Sequence, residues 1–177
     1  MARYLKLHKI PTECKVNEVR VMEPKDVKPV HDILNAYLEK FPFHMKFSED
    51  EVRHFLLPRD KVIYSWVCED ANAKVTDFIS FYYLPSSILK HVQHKTLHVA
   101  YSYYNVPGQY DAMELMKKTI MLAHEKDFDV LNALDIMENP KVLGELKFGI
   151  GDGNLHYYLY NWRVKDFLAP QIGMVLV

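Results

Sequence analysis

The stretch KVIYSWVCEDANAKVTDFISFYY, residues 61–83, carries the clearest structural signal in the chain. Two runs rich in β-branched and aromatic residues, 61–68 and 75–83, flank the short segment Ala71-Asn72-Ala73. Such runs are typical of strands, and a short segment of this kind between them is typical of a turn. We therefore predict two strands joined by a turn, and a sheet at the centre of the fold.

Further strands and helices lie on both sides of this pair. Apolar periodicity predicts an order of roughly β-β-α-α-β-β-β-α-β-α-β-β. This order indicates an α+β or mixed α/β fold around a largely antiparallel sheet. The remaining predicted strands are a short one around Leu5 and Leu7, then Val16–Met22, Thr96–Tyr104, Phe128–Leu134, Asn154–Trp162 and Gln171–Val177.

The helices have recognisable beginnings and ends. Asp26 can cap a helix whose apolar stripe runs to residue 38. Ser48 and Glu51 have the spacing of a capping box, and the helix that they begin must end before Pro58. The other predicted helices are Tyr110–Lys126 and a short one around Pro140–Leu146.

Composition narrows the class of protein. Hydrophobic residues make up 49% of the chain and the formal net charge is -1, which excludes intrinsic disorder and makes nucleic acid a poor partner. Neither a signal-peptide core nor an apolar run of membrane-spanning length is present. With only two cysteines, Cys14 and Cys68, we expect a cytoplasmic location. Because no repeat or linker interrupts the chain, we expect residues 1–177 to form a single domain.

Glycine is concentrated in one short segment, Lys147–Asn154. The chain has 6 glycines, and three of them lie at positions 149, 151 and 153. Alternating glycine permits a positive φ and a close approach of a ligand to the backbone. Asp152 at the centre would repel a phosphate, so the segment suits a cationic or amine-bearing ligand, or else it is simply a tight turn into the next strand.

The C-terminus is unusually apolar. Residues 173–177, Gly-Met-Val-Leu-Val, carry no charged side chain, so we expect them to pack inside the protein. Packing would bring the α-carboxylate of Val177 with it, and desolvation would raise its pKa toward a value useful for a general base. The alternative is a terminal core strand whose carboxylate reaches the surface.

Aromatic residues recur in three predicted strands. They could line a groove for an extended peptide, or they could simply pair across neighbouring strands. Asn132 is a polar residue in an apolar strand, and it serves either as a structural hydrogen-bond bridge or as a ligand contact. The aromatic segments are Phe81–Tyr83, Tyr101–Tyr104 and Tyr157–Tyr160.

Three histidines, His91, His94 and His98, would share a face if they lay on one continuous helix. The predicted strand from Thr96 turns His98 away from the other two. A surface turn that leads into a strand is therefore favoured over a metal site.

The sequence resembles the C-terminal half of the eukaryotic N-myristoyltransferases, the glycylpeptide N-tetradecanoyltransferases. The resemblance is carried by Lys147–Gly153 (KFGIGDG) and covers essentially all 177 residues. It implies a fold similar to an acetyltransferase of the GNAT type. The other matching motifs are Val75–Tyr82, Leu84–Ser86, Ala100–Asn105, Asn132–Asp135, Tyr158–Trp162 and the apolar terminus.

What the resemblance implies about chemistry is specific. In the family the C-terminal carboxylate, here that of Val177, is the base that deprotonates the N-terminal glycine amine of a protein substrate for attack on the thioester of myristoyl-CoA. No cofactor is bound tightly, and the N-terminal half of the enzyme holds most of this co-substrate. Residues at peptide-binding positions are Ser86, Leu97, Tyr101, Asn132, Asp152, Gly153 and Leu176.

One family signature, Glu-Ile/Val-Asn-Phe-Leu-Cys-x-His-Lys, does not occur in these 177 residues, nor does an acyl-CoA half. We therefore expect this chain alone to be inactive or nearly so, with the N-terminal half as its partner and no nucleic acid bound. The alternatives are a non-catalytic module that binds glycine-terminated peptides, or an inactive fragment that self-associates.

Overall fold

The computed structural model describes Ile10, residues 19–151 and residues 153–176. Predictions for a strand around Leu5 and Leu7, and for the first part of Val16–Met22, lie outside these residues. The strands are β1 (Val19–Val21), β2 (Phe43–His44), β3 (Ile63–Glu69), β4 (Val75–Tyr83), β5 (Ser86–Ser87), β6 (Thr96–Leu97), β7 (Val99–Ser102), β8 (Val130–Asn132) and β9 (Ile172–Gly173). The helices are α1 (Val27–Leu38), α2 (Glu49–Leu56), α3 (Ala112–Glu125) and α4 (Pro140–Leu143).

A five-stranded sheet in the order β1-β3-β4-β7-β8 forms the centre of the fold. Its neighbouring strands are antiparallel except for β7 and β8, which are parallel. The hairpin of β3 and β4 is the one that residues 61–83 predict, with Ile63 opposite Tyr82. The α+β fold with a mixed, mostly antiparallel sheet is confirmed.

Helices α1 and α2 cover one face of the sheet. Their apolar stripes are buried against Phe78 and Tyr104, which are themselves fully buried. The capping box of α2 forms as predicted: the Oγ of Ser48 accepts from the N–H of Glu51 at 3.2 Å, and the Glu51 carboxylate accepts from the N–H of Ser48 at 2.8 Å.

Asp26 precedes α1, but its side chain does not cap that helix. Its carboxylate instead accepts two hydrogen bonds from the Arg20 guanidinium, at 2.6 Å and 2.8 Å, and one from the N–H of Glu23. The predicted cap is therefore wrong in its hydrogen bonding, because the ion pair with strand β1 takes up both carboxylate oxygens.

Helix α3, which follows β7 and precedes β8 in the chain, covers the opposite face. It begins with Asp111, whose carboxylate accepts from the N–H of Glu114 at 2.7 Å. Leu115 and Leu122 pack there against Trp66 and Phe81 of the sheet. The connection from β7 through α3 to β8 accounts for the one parallel pair, because a helical crossover returns the chain to the same end of the sheet.

Two small sheets lie beside the central one. Strand β2 pairs in parallel with β9, so that His44 lies opposite Gly173. Strands β5 and β6 form an antiparallel hairpin in which Ser86 lies opposite Leu97. Among the described residues, no helix is long and apolar enough to cross a membrane.

Several predicted strands are shorter or absent. The predicted strand Thr96–Tyr104 is interrupted at His98. The N–H of His98 donates to the Asp129 carboxylate at 2.8 Å instead of pairing with a neighbouring strand. Phe128–Leu134 reduces to β8, which is partly exposed rather than buried, and Gln171–Val177 reduces to β9 within its described part. Asn154–Trp162 forms no strand, since none of the described strands pairs with it.

Candidate functional site

A row of polar side chains crosses three neighbouring strands of the central sheet. Tyr82 of β4 lies opposite Tyr101 of β7, which in turn lies opposite Asn132 of β8. Residues paired in this way project from the same face of a sheet. The rings of Tyr82 and Tyr101 stack with centroids 5.2 Å apart. The structure thus brings together two of the predicted peptide-binding residues, Tyr101 and Asn132.

Two further tyrosines extend this row just after β7. The ring of Tyr103 packs edge-on against that of Tyr82, with centroids 5.8 Å apart, and lies 4.6 Å from that of Tyr104. Burial raises the pKa of Tyr103 to about 12 and raises the pKa of Tyr104 further. Both hydroxyls therefore stay protonated and neutral at neutral pH, and they act as hydrogen-bonding groups rather than as charges.

The end of the chain is held against these tyrosines. The hydroxyl of Tyr157 donates to the carbonyl oxygen of Met174 at 2.7 Å. The N–H of Val175 donates to the hydroxyl of Tyr104 at 3.1 Å. Val175 is buried in the core beneath α1 and α2, as the apolar terminus predicted, whereas Leu176 is 54% exposed. Val177, the predicted base, lies outside the described residues.

The β5–β6 hairpin carries the next two predicted residues. Ser86 is exposed and Leu97 is half-buried, and the two are paired across the hairpin. Leu97 is followed two residues later by β7, the strand of Tyr101. The hairpin therefore stands at the N-terminal end of the strand that carries the tyrosine row.

The glycine-rich segment is exposed on the surface. A Cβ atom at Gly149, Gly151 or Gly153 would have no neighbour within 4 Å, and among the described glycines none has a positive φ. The three glycines do not use the positive φ that glycine permits, whereas Lys147, just before them, adopts φ 61°. Gly153 is exposed, and Asp152 lies outside the described residues.

The sequence did not single out two residues that take part in this site. Tyr104 and Tyr157 appeared there only as members of aromatic segments. The signal for Tyr157 was weak, because its neighbours Tyr158 and Tyr160 look the same in sequence yet are 86% and 93% exposed. Burial and a backbone partner distinguish Tyr157, and neither can be read from the local sequence.

The three histidines do not come together. The rings of His91 and His94 are 4.9 Å apart, whereas Nδ1 of His98 lies 2.8 Å from the hydroxyl of Tyr83 on another strand. In the part of the chain that the structure covers, no three His, Cys, Asp or Glu side chains are grouped so as to hold a metal ion.

Comparison of the fold gives the class of protein first. The chain shares its fold with a ribosomal-protein-alanine N-acetyltransferase from Brucella melitensis, with a TM-score of 0.59 over 81% of this chain and 97% of that one. At 16% identity this match shows the fold alone, which is that of the N-acetyltransferases.

The particular family follows from closer matches. The family described as "Myristoyl-CoA:protein N-myristoyltransferase, C-terminal domain" matches residues 1–173, and the chain belongs to it. The N-myristoyltransferase of Saccharomyces cerevisiae, crystallised with bound myristoyl-CoA, superimposes with a TM-score of 0.79 at 28% identity, over 86% of this chain and 40% of the yeast chain.

A curated relative gives the same result at higher identity. Glycylpeptide N-tetradecanoyltransferase 2 of Bos taurus is 45% identical over 176 residues, which is 99% of this chain. The chain spans only 35% of the length of that relative. It corresponds to the C-terminal domain of an acyltransferase family, as the resemblance predicted.

Proposed function

We propose that this chain is the peptide-binding half of an enzyme that transfers a myristoyl group from myristoyl-CoA to the N-terminal glycine amine of protein substrates. The observation that supports this most directly is the anchoring of the chain end. Hydrogen bonds from Val175 to Tyr104 and from Tyr157 to Met174 hold the terminus beside the row of Tyr82, Tyr101 and Asn132. A fixed terminus beside a polar row is what a terminal base next to a peptide groove requires.

In this proposal the α-carboxylate of Val177 is the general base. It takes a proton from the glycine amine as the nitrogen attacks the thioester carbonyl carbon of myristoyl-CoA. A new C–N bond forms, the C–S bond breaks, and CoA leaves as the thiolate, which takes up the proton at the end of the cycle. A main-chain carboxylate serves whatever the last side chain is, so only its position matters.

The groove residues have complementary tasks. The hydroxyl of Tyr101 and the amide of Asn132 orient the peptide backbone from the sheet, since both groups donate and accept hydrogen bonds. Ser86 and Leu97 border the groove on the hairpin, and Leu176 borders it near the chain end. Asp152 and Gly153 approach the peptide from the glycine-rich segment, where a carboxylate suits an amine or a basic side chain.

Myristoyl-CoA is the co-substrate, and no tightly bound cofactor is needed. The part of the relatives that this chain does not match would hold most of the myristoyl-CoA and is the expected partner of this chain. We propose a cytoplasmic location, consistent with the small number of cysteines, and a single domain built on the one central sheet.

The test is myristoyl transfer to a glycine-terminated peptide, followed by mass spectrometry. Three samples are compared: this chain, the unmatched N-terminal part of the Bos taurus relative, and their mixture. We expect product only from the mixture. Robust turnover by either component alone would overturn the division of labour proposed here.

A second experiment separates a peptide-binding module from an inert fragment. Isothermal titration of this chain with a glycine-terminated peptide is compared with the same peptide acetylated at its N-terminus. Binding of the free-amine peptide without transfer in the mixture would favour a non-catalytic module. Binding of neither peptide, with no transfer, would leave an inactive fragment.

A further inference from the structure

The last described residues lie beyond regular secondary structure, although Val175 is buried in the core. Strand β9 ends at Gly173, so Met174 and Val175 lie beyond the ladder that pairs β9 with β2. Chain ends beyond regular structure fray unless specific contacts hold them. Here two tyrosine hydroxyls bind consecutive residues. That of Tyr157 binds the carbonyl oxygen of Met174, and that of Tyr104 binds the N–H of Val175.

Tyr104 is itself held rigidly. Its N–H donates to the Oγ of Ser80 at 3.0 Å, and that hydroxyl donates back to the Tyr104 carbonyl at 2.8 Å. Its ring packs edge-on against Phe47, with centroids 5.4 Å apart, and the side chain is fully buried. Its hydroxyl therefore has a fixed position relative to the central sheet.

Tyr157 approaches from the other side of the terminus and is half-buried. Its ring contacts Phe43 of β2 edge-on at 6.4 Å, and that ring in turn stacks on Phe167. It is the one tyrosine of the segment 157–160 that is not exposed. Its hydroxyl donates to the terminus, whereas the hydroxyl of Tyr104 accepts from it, so the two bonds restrain both translation and rotation of the Met174–Val175 peptide unit.

We propose that Tyr104 and Tyr157 are positioning residues that set the location of the C-terminal carboxylate. This inference rests on the proposed function, in which that carboxylate is the base. The α-carboxylate of Val177 is two residues from Val175, a span of at most about 7 Å in an extended chain. A misplacement of a catalytic group by about 1 Å can cost about 100-fold in rate.

The kinetic test uses Tyr104→Phe and Tyr157→Phe, assayed as the mixture of this chain with the N-terminal part of the Bos taurus relative. Each variant removes a hydroxyl and keeps the ring. We expect kcat to fall by about 10-fold or more, while KM for the peptide and for myristoyl-CoA changes by less than about 2-fold. A merely structural role would instead reduce the fraction of active protein or alter KM.

Tyr37→Phe is the matched control. Tyr37 is a buried tyrosine of the same core whose hydroxyl bonds to Glu138 rather than to the chain end. Loss of the Tyr37 hydroxyl should change stability about as much as the other two substitutions do, and it should leave kcat as in the wild type. An equal loss of kcat in all three variants would overturn the positioning role.

Adding one glycine after Val177 separates the two proposals. The extension moves the carboxylate, so it should abolish most of the activity if that group is the base. In this background Tyr104→Phe should cost nothing further, because the hydroxyl acts only through the carboxylate. An extension without effect refutes the proposed base. An extension that abolishes activity, combined with unchanged kcat in both Tyr→Phe variants, refutes the positioning role alone.

A measurement on this chain alone needs no catalysis. Backbone ¹⁵N relaxation reports the order of residues 174–176 on the picosecond-to-nanosecond timescale. We expect ordered values in the wild type and in Tyr37→Phe, and lower order parameters in Tyr104→Phe and Tyr157→Phe. A terminus equally ordered in all four proteins would contradict the inference.

Discussion

Gly173 of strand β9 packs closely against Phe41 and against His44 of β2. A Cβ atom there would lie 2.9 Å from Cδ2 of Phe41 and 3.1 Å from Cβ of His44. Carbon atoms do not approach so closely, and Phe41 is buried, so Gly173→Ala must push β9 away from β2. We expect the free energy of unfolding to fall by about 1–3 kcal/mol in urea denaturation, and transfer activity of the mixture to fall with it.

Gly144→Ala is the matched control for this substitution. Its Cβ would have no neighbour within 4 Å, and Gly144 has a right-handed helical backbone with φ -63° at the end of α4. Stability should therefore be unchanged or slightly higher, because alanine restricts the unfolded chain more than glycine does. Equal stability of Gly173→Ala and Gly144→Ala would show that β9 moves freely away from β2.

Asp26 makes stability depend on pH. Burial of its carboxyl opposes ionisation, but hydrogen bonds from Arg20 and from the N–H of Glu23 outweigh it and hold its pKa below the usual value. A pKa lowered on folding contributes stability above the unfolded value of about 3.9, and this stability is lost as the pH falls through the folded value. Asp26→Asn should thus cost about 2 kcal/mol at pH 7 and progressively less below pH 4.

Chemical denaturation from pH 7 down to pH 2 checks this dependence. Glu69 also accepts a hydrogen bond from Arg20, which lowers the pKa of Glu69, so the variant retains the ion pair between Arg20 and Glu69. A difference between wild type and Asp26→Asn that stays constant over this range would contradict the role assigned to the carboxylate.

At the scale of elements, helix α2 is stabilised by its first turn. Ser48→Ala removes the hydroxyl that accepts from the N–H of Glu51, and we expect a loss of about 0.5–2 kcal/mol in the free energy of unfolding. Glu51→Gln keeps an acceptor for the N–H of Ser48 and should retain most of this stability. If Glu51→Gln loses as much stability as Ser48→Ala, the negative charge of Glu51 contributes as much to this turn as the Ser48 hydroxyl does.

Elements with a strong local signal were predictable from the sequence. Strand β4 has the predicted bounds, Val75–Tyr83, because its β-branched and aromatic content and the preceding turn are local properties. Segment 154–162 has an equally aromatic pattern but forms no strand, because a strand also needs a partner, which a local pattern does not reveal. Local composition therefore predicted the central hairpin correctly and this segment wrongly.

The candidate site was also predictable only in part, because a sequence pattern is local whereas some contacts of the site join distant positions. The resemblance supplied Tyr101 and Asn132, and the structure places them opposite each other on β7 and β8. Tyr104 and Val175 are 71 positions apart, so their contact arises only from the fold. Such contacts depend on the tertiary arrangement and are not encoded in any short stretch of sequence.

At the scale of the whole molecule, the aromatic side chains of the central sheet and those near the C-terminus differ sharply in solvent exposure. Aromatic residues of the central sheet, such as Trp66 and Phe81, are buried between it and α3. After the glycine-rich segment Tyr157 is half-buried, whereas Tyr158, Tyr160 and Trp162 are between 75% and 93% exposed. Apolar surface concentrated in this way is typical of an interaction site.

The two tryptophans of the chain report on this surface separately. Trp66 is 4% exposed and Trp162 is 75% exposed. In Trp66→Phe, which retains Trp162, we expect red-shifted emission and strong quenching by acrylamide. In Trp162→Phe, which retains the buried tryptophan, emission should be blue-shifted and weakly quenched.

Adding the N-terminal part of the Bos taurus relative should shift the emission of Trp162 to the blue and reduce its quenching, because the expected partner would cover the segment 158–162. The emission of Trp66 should not change and serves as the internal control. If transfer activity appears in the mixture while Trp162 stays as accessible as before, the two parts must meet through another surface.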